Sequence, residues 1–280
     1  MVDVSIIIVS WNVREQLRAC LQSIQTHSAG VICEVIVVDN ASHDESADMV
    51  AKDFPAVRLI RNDKNLGFGA ANNQGVKLAQ GECVLFLNDD CELTGNIFPA
   101  LVGLFQSKQK LGMVGVKLLN RDGSNQPSVR AWPGVLNQTV IQLKLHHLFP
   151  RLVNRYLMTD FNYSTAAAVP QVMGAFMCMP LSLAKQYGPF DEDFFVWFEE
   201  IDLQLRLQRD GYVVWYEPSL VCIHAKGQSF QQLARPNAQR LFNRSLRTYM
   251  RKHHGVLAYL WFLSLHPISM ILAYGAQMVR

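Results

Sequence analysis

The chain has 280 residues, half of them hydrophobic and 18% charged, enough apolar material for one large core or for a domain with an appendage. That composition excludes a disordered, collagen-like or disulfide-stapled chain. Its 26 Lys and Arg against 23 Asp and Glu leave a formal charge of +3, too balanced to point to nucleic acid, so no nucleic-acid partner is expected.

The first residues, Met1-Val2-Asp3-Val4, carry no basic group, and the apolar run that follows is short. A buried first strand over 4–9 is therefore expected rather than a secretory leader. Short apolar runs then alternate with helical patterns: helix 13–26, strand 34–38, helix 44–53, a short strand 57–61, helix 70–79 and strand 83–87. This rhythm predicts an α/β fold with a central, mostly parallel sheet and helices on both faces. In such sheets ligands bind outside the carboxyl ends of the strands. Polar residues interrupt the apolar pattern at those ends: Trp11-Asn12, Asp39-Asn40-Ala41-Ser42 and Asn88-Asp89-Asp90.

Further on, the pattern predicts a helix at 97–106, a strand at 112–118 and a turn at Arg121-Asp122-Gly123. Residues 125–169 mix Pro, His, Arg and aromatics and read as a long, partly helical excursion. Order returns over 172–180, then in a helix at 199–210 stopped by Gly211, and in strands at 213–216 and 220–223. The six cysteines (Cys20, Cys33, Cys83, Cys91, Cys178 and Cys222) form no C-x-x-C pair, as expected of reduced core thiols in a cytosolic setting.

Arg240, Arg244, Arg247 and Arg251 recur at helical spacing, with Phe242, Leu246 and Tyr249 on the opposite face and Lys252-His253-His254 following. The stripe is either a solvated face or a basic collar on anionic phospholipid or a lipid diphosphate. Residues 255–279 then contain no Lys, Arg, Asp or Glu. Their length suffices for a bilayer, which takes about 20 residues. Ser264, His266-Pro267, Ser269 and Gln277 make a poor spanning helix, so an interfacial anchor is expected.

Several clusters carry chemistry. Adjacent Asp89 and Asp90 repel each other at a strand end unless a cation lies between them, and such oxygens suit Mg²⁺ or Mn²⁺; a solvated strand end is the alternative. Glu199, Glu200 and Asp202 open a helix, where they complement its dipole. Set among Phe194, Phe195, Trp197 and Phe198, they also have the surroundings that raise a carboxyl pKa and make a general base. His224 ends a strand and is either structural or a ligand. Asn65-Leu66-Gly67-Phe68-Gly69 with Asn72 is a glycine-bearing loop entering a helix, suited to phosphate or sugar oxygens, but neither a P-loop nor a dinucleotide fingerprint. Gly174, in Gly174-Ala175-Phe176-Met177-Cys178-Met179-Pro180, either lets backbone approach a sugar closely or marks a tight strand crossing.

Taken in order, Val9-Ser10-Trp11-Asn12, Val37-Val38-Asp39-Asn40-Ala41-Ser42, the Asn65 loop, Leu87-Asn88-Asp89-Asp90 and Phe198-Glu199-Glu200-Ile201-Asp202-Leu203 resemble a family 2 glycosyltransferase. The subgroup resembled is the rhamnosyltransferase-like enzymes of bacterial cell-surface polysaccharide assembly, and the likeness runs over about 3–255. It implies a GT-A fold over 1–235, with a donor half at about 1–115 and an acceptor half at about 116–235. A basic helix and an apolar membrane-associating segment would follow at 236–280. It implies a nucleoside-diphosphate sugar donor, with Asp39 on a uracil or thymine base, Ser10 and Asn12 lining the same pocket, and Asn65 and Asn72 helping to hold the donor. Asp90 and His224 would hold Mg²⁺ or Mn²⁺, Asp89 would support the sugar or ribose, and Glu200 would deprotonate the acceptor hydroxyl. Asn88 stands where the first acid of a DxD-like triplet is usual, which shifts metal binding onto Asp90. Glu200 stands where many relatives carry Asp, which keeps Glu199 and Asp202 as alternative bases. The expected reaction is inverting transfer, rhamnose from dTDP-rhamnose first among UDP, dTDP and GDP sugars, to a lipid-linked glycan. The enzyme would sit in the cytoplasm, peripheral on the inner membrane; a sugar-nucleotide-binding subunit without chemistry is the alternative. A nucleotidyltransferase is excluded, because Ser10-Trp11-Asn12-Val13 is not its Gly-rich loop.

Overall fold

The computed structural model describes residues 2–225, 232 and 234–278. Residues 226–231 and 233, within the expected acceptor half, and Val279, the last residue of the uncharged segment, lie outside them. The first half runs β1 (Val4–Ser10), α1 (Arg14–His27), β2 (Cys33–Asp39), α2 (Ser46–Asp53), β3 (Arg58–Arg61), α3 (Phe68–Leu78), β4 (Cys83–Asn88), β5 (Cys91–Leu93), α4 (Phe98–Ser107) and β6 (Leu111–Leu119). The excursion holds β7 (Asn125–Gln126), β8 (Val129–Arg130), α5 (Val135–Gln142), α6 (Pro150–Leu157) and β9 (Ala167–Ala168). Then come β10 (Gln171–Val172), β11 (Phe176–Pro180), α7 (Leu181–Tyr187), α8 (Glu199–Arg209), β12 (Val213–His224), α9 (Arg235–His254) and α10 (Val256–Met278).

The main sheet has the order β3-β2-β1-β4-β11-β6-β12-β5. Strands β3, β2, β1, β4, β6 and β12 point one way, and β11 and β5 run against them. The chain leaves β1 toward β2 on one side and reaches β4 on the other, so a crevice opens between the ends of β1 and β4, the usual ligand position in such sheets.

Alternation along each strand feeds two cores. Ile6 and Ile8 pack with Leu17, Cys20, Leu21 and Ile24 of α1 on one face. Ile7, Ile36 and Val38 pack with Ala71 and Val76 of α3 and Leu203 and Leu207 of α8 on the other. A third core joins Phe194, Phe198 and Ile201 to Leu246, Tyr249 and Met250 of α9 and to Ala258, Phe262 and Leu265 of α10. The six cysteines are free thiols.

Two local expectations change. The apolar stretch 172–180 is two strands, β10 and β11, parted at Met173-Gly174-Ala175. The two strands expected at 213–216 and 220–223 are one, β12, whose register with β6 shifts between Glu217 and Val221; Pro218, which has no N–H to give the ladder, lies in that irregularity. The C-terminal segment is one continuous helix, α10, with Pro267 inside it. Packing along α9 supports this stretch, where Asn243 of α9 reaches His266 Nδ1 at 3.1 Å and Ser269 Oγ at 3.1 Å.

Two contacts hold the segment between β11 and α8 over the sheet end. Gly67, at φ +87°, passes so close to Phe195 that a Cβ would stand 2.1 Å from the Phe195 carbonyl oxygen, which accepts the Phe68 N–H at 2.8 Å. On the other side, fully buried Asp202 of α8 meets Arg206 at 2.8 Å, Lys252 at 2.8 Å and His253 at 2.7 Å. Burial alone would raise the Asp202 carboxyl, but the hydrogen bonds from His253 and Lys252 and the charge of Arg206 outweigh it and hold it at about 2.

Gly67→Ala is expected to lower stability by about 1–3 kcal/mol through overpacking against backbone in a left-handed conformation, read as a lower midpoint in urea. Because the Asp202 pKa is depressed in the folded state, its contribution is present above about pH 4 and is lost as pH falls through about 2. Asp202→Asn should cost about 1.5–3 kcal/mol at neutral pH, and its difference from wild type should shrink toward pH 2 in thermal melts.

Candidate active site

Parallel pairing sets three strand ends level: Ser10 is paired with Asp39, and Val9 with Asn88. The chain then turns sharply at each rim position, with Asn12 at φ 54° and Ala41 at φ 60°. Short polar residues suit such turns because their side chains satisfy nearby N–H groups. Asp39 Oδ2 accepts the Ser42 N–H at 3.1 Å, Ser42 Oγ accepts the Asn12 N–H at 3.0 Å, and Asn12 Oδ1 accepts the His43 N–H at 2.7 Å. Asn12 thus ties the β1 and β2 loops together.

A cavity of about 360 Å³ lies over the β1–β4 crevice, lined by Trp11, Asn40, Asn65, Phe68, Asn88 and Asp89 among others. Phe195, Val196 and Leu241 cover it. Ser245 of α9 donates to the Val196 carbonyl at 2.7 Å, so the C-terminal helix pins the cover that it also lines. Asn65 Oδ1 accepts the Gly67 N–H at 2.9 Å. Asn40, buried, donates to the Gly67 carbonyl at 3.1 Å and accepts from Asn62 at 3.0 Å, holding the same loop. Asn72 lies one turn inside α3, its amide on the Phe68 carbonyl at 3.0 Å, outside the cavity lining.

Below the cavity, β5 pairs with β12 so that Cys91 stands opposite His224. His224 Nε2 lies 3.2 Å from Asp90 Oδ1 and 3.3 Å from Asn88 Nδ2. Its Nδ1 is 2.6 Å from Gln126 Oε1, while Gln126 Nε2 donates to Asn120 Oδ1 at 2.8 Å and to the His224 carbonyl at 3.2 Å. This network assigns the proton to Nδ1 and turns the Nε2 lone pair toward Asp90. Two lone pairs so close, with Asp90 Oδ1 buried and otherwise unpartnered, fit a divalent cation between them. Cys91 completes a cluster of three metal-capable side chains. Burial, followed by the hydrogen bond to Cys222, pushes its thiol well up, and Sγ faces the Ala175 carbonyl at 3.4 Å. The donor set is therefore oxygen and imidazole, as Mg²⁺ or Mn²⁺ sites use.

Asp89 is buried; desolvation first and the charge of Asp90 second push its carboxyl well above the usual range, against a hydrogen bond from the Trp11 N–H. Ser10 lies beside Asp89, yet its Oγ reaches no partner at bonding geometry, and neither does Asp39 Oδ1.

The acids of α8 diverge. Trp197 and Phe198, at φ 64° and 73°, reverse the chain just ahead of the helix, a conformation costing about 1–3 kcal/mol per residue that the third core retains by burying Phe198. Glu199 points toward α3, its Cγ 3.7 Å from where a Gly69 Cβ would stand. Glu200 faces Gly174, whose Cβ would lie 3.5 Å from Glu200 Cγ. Burial, reinforced by the charge of Glu200, raises Glu199 well above the carboxylate range; burial brings Glu200 to about 6, against hydrogen bonds from the start of the helix. Oε2 of both is buried and unpartnered. Asp202 does not join them, because its carboxylate is spent on Arg206, Lys252 and His253.

The structure also brings in residues without a local sequence signal. Gln126 sits on a two-residue strand, and Leu241 belongs to a helix distant in sequence. Phe195 and Val196 read as part of an aromatic stretch, and only the Gly67 contact makes them a cover.

Residues 5–163 match the family model described as Glycosyl transferase family 2. The N-acetylglucosaminyl-diphospho-decaprenol L-rhamnosyltransferase of Mycobacterium tuberculosis is 27% identical over 208 residues, 70% of this chain and 67% of that protein. The low-salt glycan biosynthesis hexosyltransferase Agl10 of Haloferax volcanii is 27% identical over 213 residues, 75% of this chain and 62% of that protein. Among solved structures, the mannosyltransferase PcManGT from Pyrobaculum calidifontis in complex with GDP-Man and Mn²⁺ aligns with a TM-score of 0.58 at 18% identity, over 98% of this chain and 73% of that one. S. aureus TarS 1-349 in complex with UDP aligns with a TM-score of 0.57 at 15% identity, over 94% and 71%. At those identities the structural likeness speaks to the fold. With the family match over more than half its length, this chain belongs to glycosyl transferase family 2 and is a glycosyltransferase with a GT-A fold.

Proposed function

We propose that this chain is an inverting, metal-dependent transferase that moves a sugar from a nucleoside diphosphate to a hydroxyl of a lipid-linked glycan. One observation carries the reading. Ser10 Oγ, Asp39 Oδ1, Asp90 Oδ1, Glu199 Oε2 and Glu200 Oε2 are buried without hydrogen-bond partners among the described residues, and all come from strand ends and a helix start on one rim. Buried polar atoms left unpaired cost free energy unless a ligand satisfies them.

In this reading Asp39 Oδ1 accepts the N3–H of a uracil or thymine base, with Ser10 Oγ beside it. Trp11 and Phe68 supply apolar walls, and Asn65 turns its amide to the donor. Asp89 supports the sugar or ribose. Asp90 and His224 hold Mg²⁺ or Mn²⁺, which when bound neutralises negative charge on the departing diphosphate. Glu200 takes the proton of the acceptor hydroxyl as its oxygen bonds to the anomeric carbon and the bond to the diphosphate breaks. Glu199, its carboxyl pushed up by burial and by the charge of Glu200, resists placing a second charge beside that base. Gly174 leaves the acceptor side of Glu200 open. The donor half spans about 1–115 and the acceptor half about 116–235.

Rhamnose from dTDP-rhamnose is the first donor to test, supported by the M. tuberculosis relative, which by its name is an L-rhamnosyltransferase of a diphospho-decaprenol-linked sugar. Other UDP, dTDP or GDP sugars form the second reading, supported by the UDP and GDP-Man complexes of the structural neighbours. A lipid-linked acceptor places the enzyme in the cytoplasm, peripheral on the inner membrane through 236–280.

Calorimetry with dTDP, UDP and GDP, with and without Mn²⁺, tests the donor site. Metal-dependent binding of dTDP or UDP that Asp90→Ala abolishes is expected, and no binding of any of the three rejects the reading. Glu200→Gln should leave nucleotide binding within about twofold and lower kcat by about 10²–10⁴-fold. A base that titrates near 6 works only when deprotonated, so kcat should fall toward tenfold per pH unit below about 6 and level off above it. Nucleotide binding without release of nucleoside diphosphate to any acceptor would assign the chain to a binding subunit instead.

A further inference from the structure

Helices α9 and α10 form an antiparallel pair, turned at Gly255 and tied at its far end by Arg235, which donates to the Ala276 carbonyl at 2.5 Å. Helix α10 has two unlike faces. Ala258, Phe262, Leu265, Ser269 and Ala273 recur every three or four residues and are buried. Opposite them Leu257, Leu260, Trp261, Ile268 and Ile271 meet solvent, Leu257 at 80% and Ile271 at 70% exposure. Large apolar groups in a continuous exposed stripe mark a binding surface.

Where α10 begins, a groove of about 590 Å³ runs beside it, lined by Arg244, Arg247, Arg251 and Lys252 of α9, Tyr259 of α10, and Asp191 and Asp193. Lys252 is neutralised by Asp191 at 2.5 Å and Asp202 at 2.8 Å. The three arginines make no ion pair among the described residues. Arg247 Nη1 is shielded from solvent with no hydrogen-bond partner, and burial, before the neighbouring charges, lowers its pKa. A guanidinium fork with desolvated, unpaired N–H groups matches phosphate oxygens.

We propose that the outward face of α10 and this arginine groove form a single membrane-docking surface. Helix α10 lies in the plane of the bilayer interface, its apolar stripe in the acyl boundary, while Arg244, Arg247 and Arg251 seat the phosphate groups of anionic lipid. The in-plane geometry follows from the packing. The inner stripe of α10 is docked along its length, and Asn243 holds its middle at His266 and Ser269. Crossing the bilayer would carry α9 and its arginines into hydrocarbon, where an unpaired charge is strongly disfavoured. Pairing of two copies through the α10 stripe would bring two unneutralised grooves together, whereas anionic lipid neutralises them. This inference refines the membrane part of the function proposed above and does not depend on the transfer reaction.

The test is flotation of the full chain with vesicles of phosphatidylcholine alone or mixed with phosphatidylglycerol, with calorimetric nucleotide binding measured on the same preparations. Binding should favour the anionic vesicles and weaken with salt. Arg244→Gln and Arg247→Gln should each reduce it about fivefold, the equivalent of about 1 kcal/mol for a basic group at an anionic surface. Leu257→Ser with Ile271→Ser should reduce binding to both vesicle types. Trp261 fluorescence, obtained by difference from Trp261→Phe, should be quenched by lipid brominated near the headgroup and not by lipid brominated near the chain end. Equal affinity for both vesicle types, indifference to the arginine changes, or deep quenching of Trp261 overturns the inference while leaving membrane association standing. A dimer in solution that depends on α10, with no vesicle binding, overturns both, and the nucleotide titration reports separately on the transferase reading.

Discussion

The structure depends on one electrostatic constraint: carboxylates gathered, buried and incompletely paired at the ends of the parallel strands β2 and β4, beside the end of β1. Register sets Asp39 beside Ser10 and brings the end of β4, with Asp89 and Asp90, to the same rim. Burial and mutual repulsion make that arrangement costly for the protein alone. The surrounding scaffold, two cores and a densely packed sheet, has to supply the stability that the rim consumes. Local satisfaction goes as far as it can: Ser42 and Asn12 stitch the loops, and Gln126 fixes the imidazole of His224. Oxygens of Ser10, Asp39 and Asp90 are left buried without a partner.

The same logic extends to the cover. Residues 194–198 meet the Asn65 loop through Gly67 and are held from behind by Ser245 and the third core. The left-handed pair Trp197-Phe198 aims Glu199 and Glu200 in different directions. Two glutamates adjacent in sequence thus occupy different environments, one against α3 and one, less deeply buried, against Gly174. Asp202, two residues further on, has turned to the far side of α8, where it pairs with α9. The C-terminal helices are therefore part of the site as well as an appendage to it: α9 gives Leu241 to the cavity, clamps the cover and carries the arginine groove, and α10 buttresses the whole.

Much of this was legible in the chain. The β-α rhythm, the polar interruptions at strand ends and the order of the motifs pointed to an α/β nucleotide-sugar fold, because local hydrophobic periodicity and turn chemistry are properties of neighbouring residues. Asp90 and His224 were named as partners by resemblance, and here they stand 3.2 Å apart. Less legible were features that depend on partners remote in sequence. The hydrogen bonds of Asn12 to the His43 N–H and of Asn72 to the Phe68 carbonyl are not written in the motifs that contain them. How the C-terminal segment packs was not legible either: α10 runs on through Pro267 beside α9. A two-strand reading of 213–223 missed that a strand absorbs Pro218 in a shift of register.

The sequence by itself determined the alternation of strands and helices, the residue types at each strand end and the apolar, uncharged character of the last helix. These follow from side-chain chemistry and spacing along one segment. Tertiary structure alone decided which carboxylates stay unpaired, which nitrogen of His224 faces Asp90, which glutamate packs against α3 and which against Gly174, and which face of α10 is left to solvent. Each of those outcomes is fixed by atoms that touch between segments separated in the chain, by 23 residues for Asn243 and His266 and by 98 for Gln126 and His224, and a local pattern carries no record of the groups it will meet.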